Sequence, residues 1–342
     1  MQSNLQPDEK SRMAKRLLVI LTTFCLLIIA LLFAIANGSA DFSLSEVLTA
    51  LFQRPDDVST AVVWNLRLPR AIIAIFVGAN LAVSGVLLQS VMGNPLADPG
   101  LTGISSGASL AAIIIMLLFP NVYHLLSLGA FLGGAAACLL VYGLAWKNGG
   151  IRPLRIILAG VAVNAMLGGG TSLLSILNSD KIQGVLLWLN GSMSAKSWMD
   201  VRGLLPYSVL GLALSILCIR GANLLLLGDN VATNLGARVN RLRLLLSGVA
   251  VLLAGISVAT VGVIGFVGLI VPHMSRKMVG ADYRFLLPHS MVLGGLVLLF
   301  GDTLARTVAA PVELPVGVIM AVIGGPFFLY LLRKEDRNGH DA

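Results

Sequence analysis

Charge is what this sequence has least of. Asp, Glu, Lys and Arg make up 12% of its 342 residues, against about 25% in a soluble domain. The hydrophobic residues, 57% of the chain, come in long runs rather than in periodic stripes. A water-soluble globule is thereby excluded, and an integral membrane protein is expected. Cysteine is also scarce. Cys25, Cys138 and Cys218 each lie inside an apolar run with no metal-ligand spacing, so they are read as small buried hydrophobes. His124, His273, His289 and His340 are scattered and suggest no metal site. No G-x-x-x-x-G-K-[ST] pattern occurs, so the chain has no phosphate-binding loop of its own. If ATP drives it, another chain binds and hydrolyses the nucleotide. No H-E-x-x-H pattern is present either, and no catalytic or metal-ligating residue is assigned. The spans carry no Asp/Glu/His series of the kind a proton-coupled pump uses. A sodium site made of carbonyls and hydroxyls would leave no such trace.

What is present is a succession of apolar runs, each near the roughly 20 residues that cross a bilayer. They fall at 17–36, 70–91, 101–119, 124–146, 154–177, 202–220, 285–308 and 315–332. A longer run, 244–272, contains "ATVGVIGFVGLIVP", where glycines and Pro272 interrupt the pattern; it reads as one long tilted span or as two. The first run follows Lys10, Arg12, Lys15 and Arg16 and is longer than the apolar core of a signal peptide, so an uncleaved span is expected.

Charge placement decides the count. With ten spans and a cytoplasmic N-terminus, 17 basic residues lie inside, at 10, 12, 15, 16, 147, 152, 155, 220, 238, 241, 243, 276, 277, 284, 333, 334 and 337. Seven lie outside, at 54, 67, 70, 181, 196, 202 and 306. With nine spans the two sides carry 12 each. The positive-inside rule therefore selects ten spans with both termini cytoplasmic. The net charge of +8 comes from these clusters between spans, which argues against nucleic acid as a partner and for membrane lipid. The resulting organisation is an all-α membrane protein: a cytoplasmic tail at 1–16, a ten-span domain at 17–333 with a cytoplasmic loop near 221–243, and a cytoplasmic tail at 334–342. Glycines inside spans, as in "GGAAAC" (133–138), "MLGGGTS" (166–172) and "GGLVLLFG" (294–301), are expected at close helix contacts.

Several segments stand out. In "LRLPR", Arg67 and Arg70 flank Pro69 at the outer mouth of the second span, where a helix-start proline loses no hydrogen bond. Basic residues outside run against the topological bias, so they suit either headgroup anchoring or docking of an acidic partner. Asp302 and Arg306 are one turn apart, acid before base, as an i, i+4 pair requires. In "LGDNVATNLGARVNRLR" (227–243), Asp229 or Asn230 can cap a short helix. Val231, Leu235 and Val239 then share a face at i, i+4 and i+8 with Ala232 beside them, and Gly236 can break the helix. Arg238, Arg241 and Arg243 read as anchors to the inner leaflet. Asn164, an amide in mid-span, reads as a helix–helix hydrogen bond or a pathway residue.

Taken in order, "LRLPR", "NPLADP" (94–99), "WLNGSM" (188–193), Pro272-His273-x-x-Arg276, Asp302-x-x-Ala305-Arg306, Pro311-x-Glu313-Leu314-Pro315-x-Gly317 and Gly325-Pro326-Phe327-Phe328 closely resemble the FecCD-type permeases of iron-siderophore, haem and cobalamin ABC importers. The resemblance covers roughly residues 17–333. It implies the type II ABC importer fold, a second permease subunit (identical or not), two cytoplasmic ATPases that bind the ATP, and an extracytoplasmic substrate-binding protein. It implies that Asp229, Val231, Ala232, Leu235 and Gly236 belong to the element that seats on the ATPase. It likewise implies that Arg67, Arg70 and Arg306 receive carboxylates of the binding protein, and that Asn164 lies beside the pathway. The expected function is ATP-driven uptake of an iron-siderophore across a bacterial cytoplasmic membrane, with no chemistry done by this chain. Haem or cobalamin import, and in a different class an ion-coupled carrier, are the alternatives.

Overall fold

The structure is a computed structural model and describes residues 7–38, 42–147 and 150–339. Its elements, in chain order, are α1 (Pro7–Ala36), α2 (Leu44–Phe52), α3 (Val58–Val62), α4 (Leu68–Met92), α5 (Ile104–Leu118), α6 (Leu126–Ala145), α7 (Pro153–Leu177), α8 (Ile182–Leu189), α9 (Trp198–Leu217), α10 (Ile219–Leu226), α11 (Asp229–Asn234), α12 (Val239–Val261), α13 (Val267–Val279), α14 (Tyr283–Thr307) and α15 (Val316–Gly339). A π-helical turn, Val63–Arg67, leads into α4. One two-stranded hairpin, Trp146–Lys147 with Gly150–Ile151, joins α6 to α7.

Seven helical segments among the described residues are long and apolar enough to cross a membrane; they include α1, α4, α6, α7, α9, α12 and α14. Ile104–Leu118 and Val316–Tyr330 are shorter apolar helices. Helix α1 is already formed at Pro7, so the described part of the basic stretch expected as a tail continues the first span as helix.

Helix α4 is the hub. It is buried along most of its length and packs against α14, α12, α13 and α9. Such closeness needs small residues where axes cross. A Cβ on Gly78 would stand 2.2 Å from the Gly294 carbonyl oxygen, and one on Gly294 would stand 2.4 Å from that of Gly78. The expectation for "GGLVLLFG" is met at this crossing. It is not met on α7, where Cβ atoms on Gly168 and Gly169 would enter open space. Helix α7 is also the least enclosed of the seven, with Leu158, Val161, Met166, Leu173 and Ile176 all exposed. Within its glycine run a Cβ on Gly170 alone would meet a neighbour, the Leu110 side chain at 3.3 Å.

The long run 244–272 resolves into two helices. Helix α12 stops at Val261, Gly262 takes φ +78°, and Phe266 takes φ +67° just before α13. A left-handed aromatic residue is strained, and it marks the break within 262–266 rather than at Pro272, which lies inside α13. Thirteen residues of α13 rise about 20 Å, less than the roughly 30 Å of hydrocarbon. The connection between α12 and α13 is irregular backbone that protein encloses. Val261, Ile264 and Val267 are buried, and the Val261 carbonyl accepts from the Ser192 N–H at 2.8 Å, which brings "WLNGSM" against the break.

Candidate functional site

At the end of the bundle where α1 finishes, the last carbonyls of that helix have no intrahelical partner. Arg67 supplies one: its Nη1 donates to the carbonyls of Ile35 at 2.6 Å and Ala36 at 2.8 Å, while its guanidinium lies 4.7 Å from the centre of the Phe42 ring. Arg306 supplies another, its Nη2 donating to the Ala34 carbonyl. Two cations at a helix C-terminus also suit the helix dipole. Both residues are buried, and the Arg306 Nε has no hydrogen-bond partner among the described residues. A Cβ on Gly38 would stand 2.8 Å from the Arg67 Nη2 and 3.4 Å from the Arg306 Nη1. The two guanidiniums therefore close on one point of the backbone.

Arg70 takes the acids. Its Nε and Nη2 each donate to Asp302 at 2.9 Å, a two-pronged contact, and its Nη1 donates to Glu313 at 2.8 Å. Glu313 also accepts from the Ser194 hydroxyl at 2.7 Å. Burial acts to raise the Glu313 pKa, but the hydrogen bonds from Ser194 and Arg70 outweigh it and hold the carboxyl below its ordinary value. The i, i+4 pairing of Asp302 with Arg306 is thus corrected. The Asp302 carboxylate is engaged by Arg70 from α4, because the α4–α14 crossing brings that fork into register with it. The three arginines expected at one rim do converge, but they point inward. The exposed charge of the network is Glu313, with 39% of its side chain accessible.

The opposite end carries α11. Gly228 at φ +85° precedes it and makes no side-chain cap. Asp229 is the first helical residue, and its carboxylate accepts from Arg243 Nη2 at 2.8 Å. Neither expected cap is used, since Asp229 is drawn away to an arginine. Ala232 is fully buried, whereas Val231 and Leu235 are 48% and 63% exposed. Gly236, at φ +81°, ends the turn. The single face expected for Val231, Leu235 and Val239 does not exist: α11 stops at Asn234, and Val239 opens α12 and packs on the main core. Two large apolar side chains, one on a short helix and one at its C-cap, are left uncovered.

Arg243 is not the leaflet anchor expected from sequence. It is buried, with Nε donating to Val91 O at 3.2 Å, Nη1 to Ile151 O at 3.1 Å and Nη2 to Asp229. Upstream, Asn223 of α10 bonds Asp282, the N-cap of α14, at 3.1 Å and accepts the Tyr283 N–H at 3.1 Å. Sequence reasoning missed both contacts. The usable signal was the scarcity of charge, which makes every basic residue near a span a candidate for a specific partner. An open cavity of about 630 Å³ beside α11 is lined by residues that include Arg220, Asn223, Leu227, Asp282 and Arg284.

Asn164 donates to the Gly100 carbonyl at 2.9 Å and accepts from the Ser106 hydroxyl at 2.6 Å. It ties α7 to α5 and to the turn before α5, as the helix–helix reading expects. Gly103 to Gly107 spells G-x-S-x-G. In hydrolases that pattern sits on a strand-to-helix elbow; here a 3-10 turn, Pro99–Thr102, leads into it.

Comparison with known proteins agrees with this architecture. The FecCD transport family matches residues 26–334. The chain is 39% identical over 325 residues to the Fe(3+)-citrate import system permease protein YfmD of Bacillus subtilis, covering 95% of this chain and 97% of that one. It is 40% identical over 327 residues to the hemin transport system permease protein HmuU of Yersinia pestis, covering 91% and 96%. Among solved structures, a metal-chelate type ABC transporter in an inward-facing conformation superposes with a TM-score of 0.83 at 30% identity, covering 92% of this chain and 99% of that chain.

Proposed function

The chain belongs to the FecCD transport family, whose members are multi-pass permease subunits of ABC importers and not themselves catalytic, and from that premise we propose that it carries an iron-siderophore across a bacterial cytoplasmic membrane by alternating access. In this reading ten spans, with both termini cytoplasmic, pair with a second permease subunit around a central pathway. Two cytoplasmic ATPases bind the ATP, and an extracytoplasmic binding protein delivers the chelate. The observation that carries the reading is α11, which holds Val231 and Leu235 exposed beside buried Ala232. Apolar side chains displayed on a short, braced helix suit a groove on another protein. Asp229, Val231, Ala232, Leu235 and Gly236 form that seat. The open face of α7 that carries Gly168 and Gly169 is the side proposed to line the pathway, with Asn164, bonded to α5 and the turn before it, proposed beside that pathway.

Docking is proposed at the rim built by Arg67, Arg70 and Arg306. Arg67 and Arg306 hold the end of α1 in place, and the Arg70–Glu313 pair is where an incoming carboxylate can exchange for an internal one.

The test is reconstitution in liposomes with the partner ATPase and binding protein, with uptake of ferric citrate, a ferric hydroxamate, haem and cobalamin measured in parallel. ATP-dependent uptake of a ferric chelate is expected. Preference for haem, which the likeness to a hemin permease makes the second reading, or for cobalamin would replace the siderophore assignment. Uptake by the chain alone under a sodium or proton gradient would overturn the ABC mechanism. Leu235→Asp puts a charge into the proposed seat and is expected to lower ATPase co-purification at unchanged permease level.

A further inference from the structure

A short helix can transmit a push only if it is fixed to what must move. Six residues of α11 form less than two turns, and an isolated helix of that length is not stable. Its attachment therefore decides which elements share its motion. One downstream attachment is a single side chain. Each of the three guanidinium nitrogens of Arg243 bonds a different element: Nη2 the Asp229 carboxylate at the start of α11, Nε the Val91 carbonyl near the end of α4, and Nη1 the Ile151 carbonyl in the strand just before α7. Arg243 is itself in the second turn of α12. Asn240, one turn earlier, accepts the Ile151 N–H at 3.3 Å and so holds the same strand. Arginine alone among side chains offers donors in a rigid planar fork that can serve three acceptors at fixed angles.

We propose that Arg243 is a positioning residue for transport, a rigid junction that makes α11 move as one body with the end of α4 and the start of α7. This inference rests on the reading of α11 as the ATPase seat. Its partners are chosen for the task. The Asp229 pair is charge-assisted and therefore strong. The two carbonyls belong to backbone, so the junction grips the elements themselves rather than flexible side chains. Helix α4 is the packing hub and α7 has the unpacked face, so a displacement entering at α11 is passed at once to the centre of the subunit and to the helix proposed beside the pathway. Lysine at 243 would keep the charge and could hold one partner, but it could not hold three in fixed directions.

The test uses the complete permease–ATPase complex and needs no transported ligand. In a cysteine-free background, spin labels at position 234 on α11 and at position 94 after α4, or at 234 and 147 in the hairpin, report two distances with and without trapped ATP. In the otherwise native complex both distances are expected to stay constant between the two states, since the labelled elements move together. In Arg243→Lys they are expected to match the native values without nucleotide and to shift or broaden with it. Asp229→Asn, at a half-exposed position, is expected to show the same change in smaller measure. Distances that vary with nucleotide in the native complex, or that stay constant in both variants, overturn the inference. A defect equal in both nucleotide states reduces Arg243 to a folding role and overturns it as well. Leu235→Asp separates the underlying reading: if it leaves ATPase assembly intact, α11 is not the seat and both proposals fall; if it abolishes assembly while Arg243→Lys moves as the native complex does, only the junction fails.

Discussion

Asp302 offers a demanding test of the physical account. Its carboxylate side chain is 3% exposed and that of Arg70 is 11% exposed, and the two are joined through the Arg70 Nε and Nη2. Replacing Asp302 by leucine, which is branched like the carboxylate, leaves the Arg70 guanidinium with Glu313 alone. Breaking a buried pair by removing one partner costs about 3–5 kcal/mol when the surviving charge is left uncompensated, and Asp302→Leu should lie toward the lower figure because Glu313 still holds Arg70. Arg70→Met should cost a similar amount, for it strands the Asp302 carboxylate. The double variant should be milder than either single one, since neither member of the pair is then stranded by loss of the other. Glu313 tolerates the double change because it is partly exposed and keeps the Ser194 bond. Thermal unfolding in detergent, followed by intrinsic fluorescence, should show each single variant lowered by on the order of 5–10 °C and the double variant partly recovered. Two results refute the reasoning: a near-neutral Asp302→Leu, or a double variant whose loss is the sum of the singles.

Three further outcomes rest on the same structure. If an incoming carboxylate exchanges for Glu313 on Arg70, Glu313→Gln should tighten binding-protein docking by up to about fivefold, the range of one partly exposed pair, with the gain fading as salt rises; unchanged affinity in nanodiscs would remove Arg70 from docking. Single cysteines at positions 56 and 190 should label from outside intact cells while those at 234 and 338 should not, and external labelling at 338 would end the ten-span count. Asp282 is held low: burial opposes its ionisation, but hydrogen bonds from the Arg284 side chain and N–H and from Asn223 bring it to about 2. Because the folded value lies below the ordinary one near 3.9, the stability it contributes is complete above about pH 4 and is lost as pH falls toward about 2. Asp282→Asn should flatten unfolding stability across that window, and a variant with the native pH dependence would contradict the assignment.

The multi-pass membrane character, the helical class, the positions of the long apolar helices and the family likeness were legible in the sequence. They depend on composition, run length and ordered motifs, which are local properties of the chain. The scarcity of charge also showed that charges near spans needed partners, but it could not say which partners. The i, i+4 rule sees one helix at a time, so it joined Asp302 to Arg306, whereas the crossing at Gly78 and Gly294 brings α4 against α14 and the Arg70 fork to the carboxylate. The same limit hid Arg243. In "RVNRLR" nothing distinguishes the arginine that turns inward from those beside it, because the rotation of α12 is set by what packs on it. Val231, Leu235 and Val239 looked like one face because periodicity assumes an unbroken helix, and the turn at Gly236 breaks it. The glycines of α7 and those of α14 read alike in sequence. Tertiary packing put the latter against α4 and left Gly168 and Gly169 facing open space, because whether a small residue is covered depends on a neighbour that its own segment does not encode.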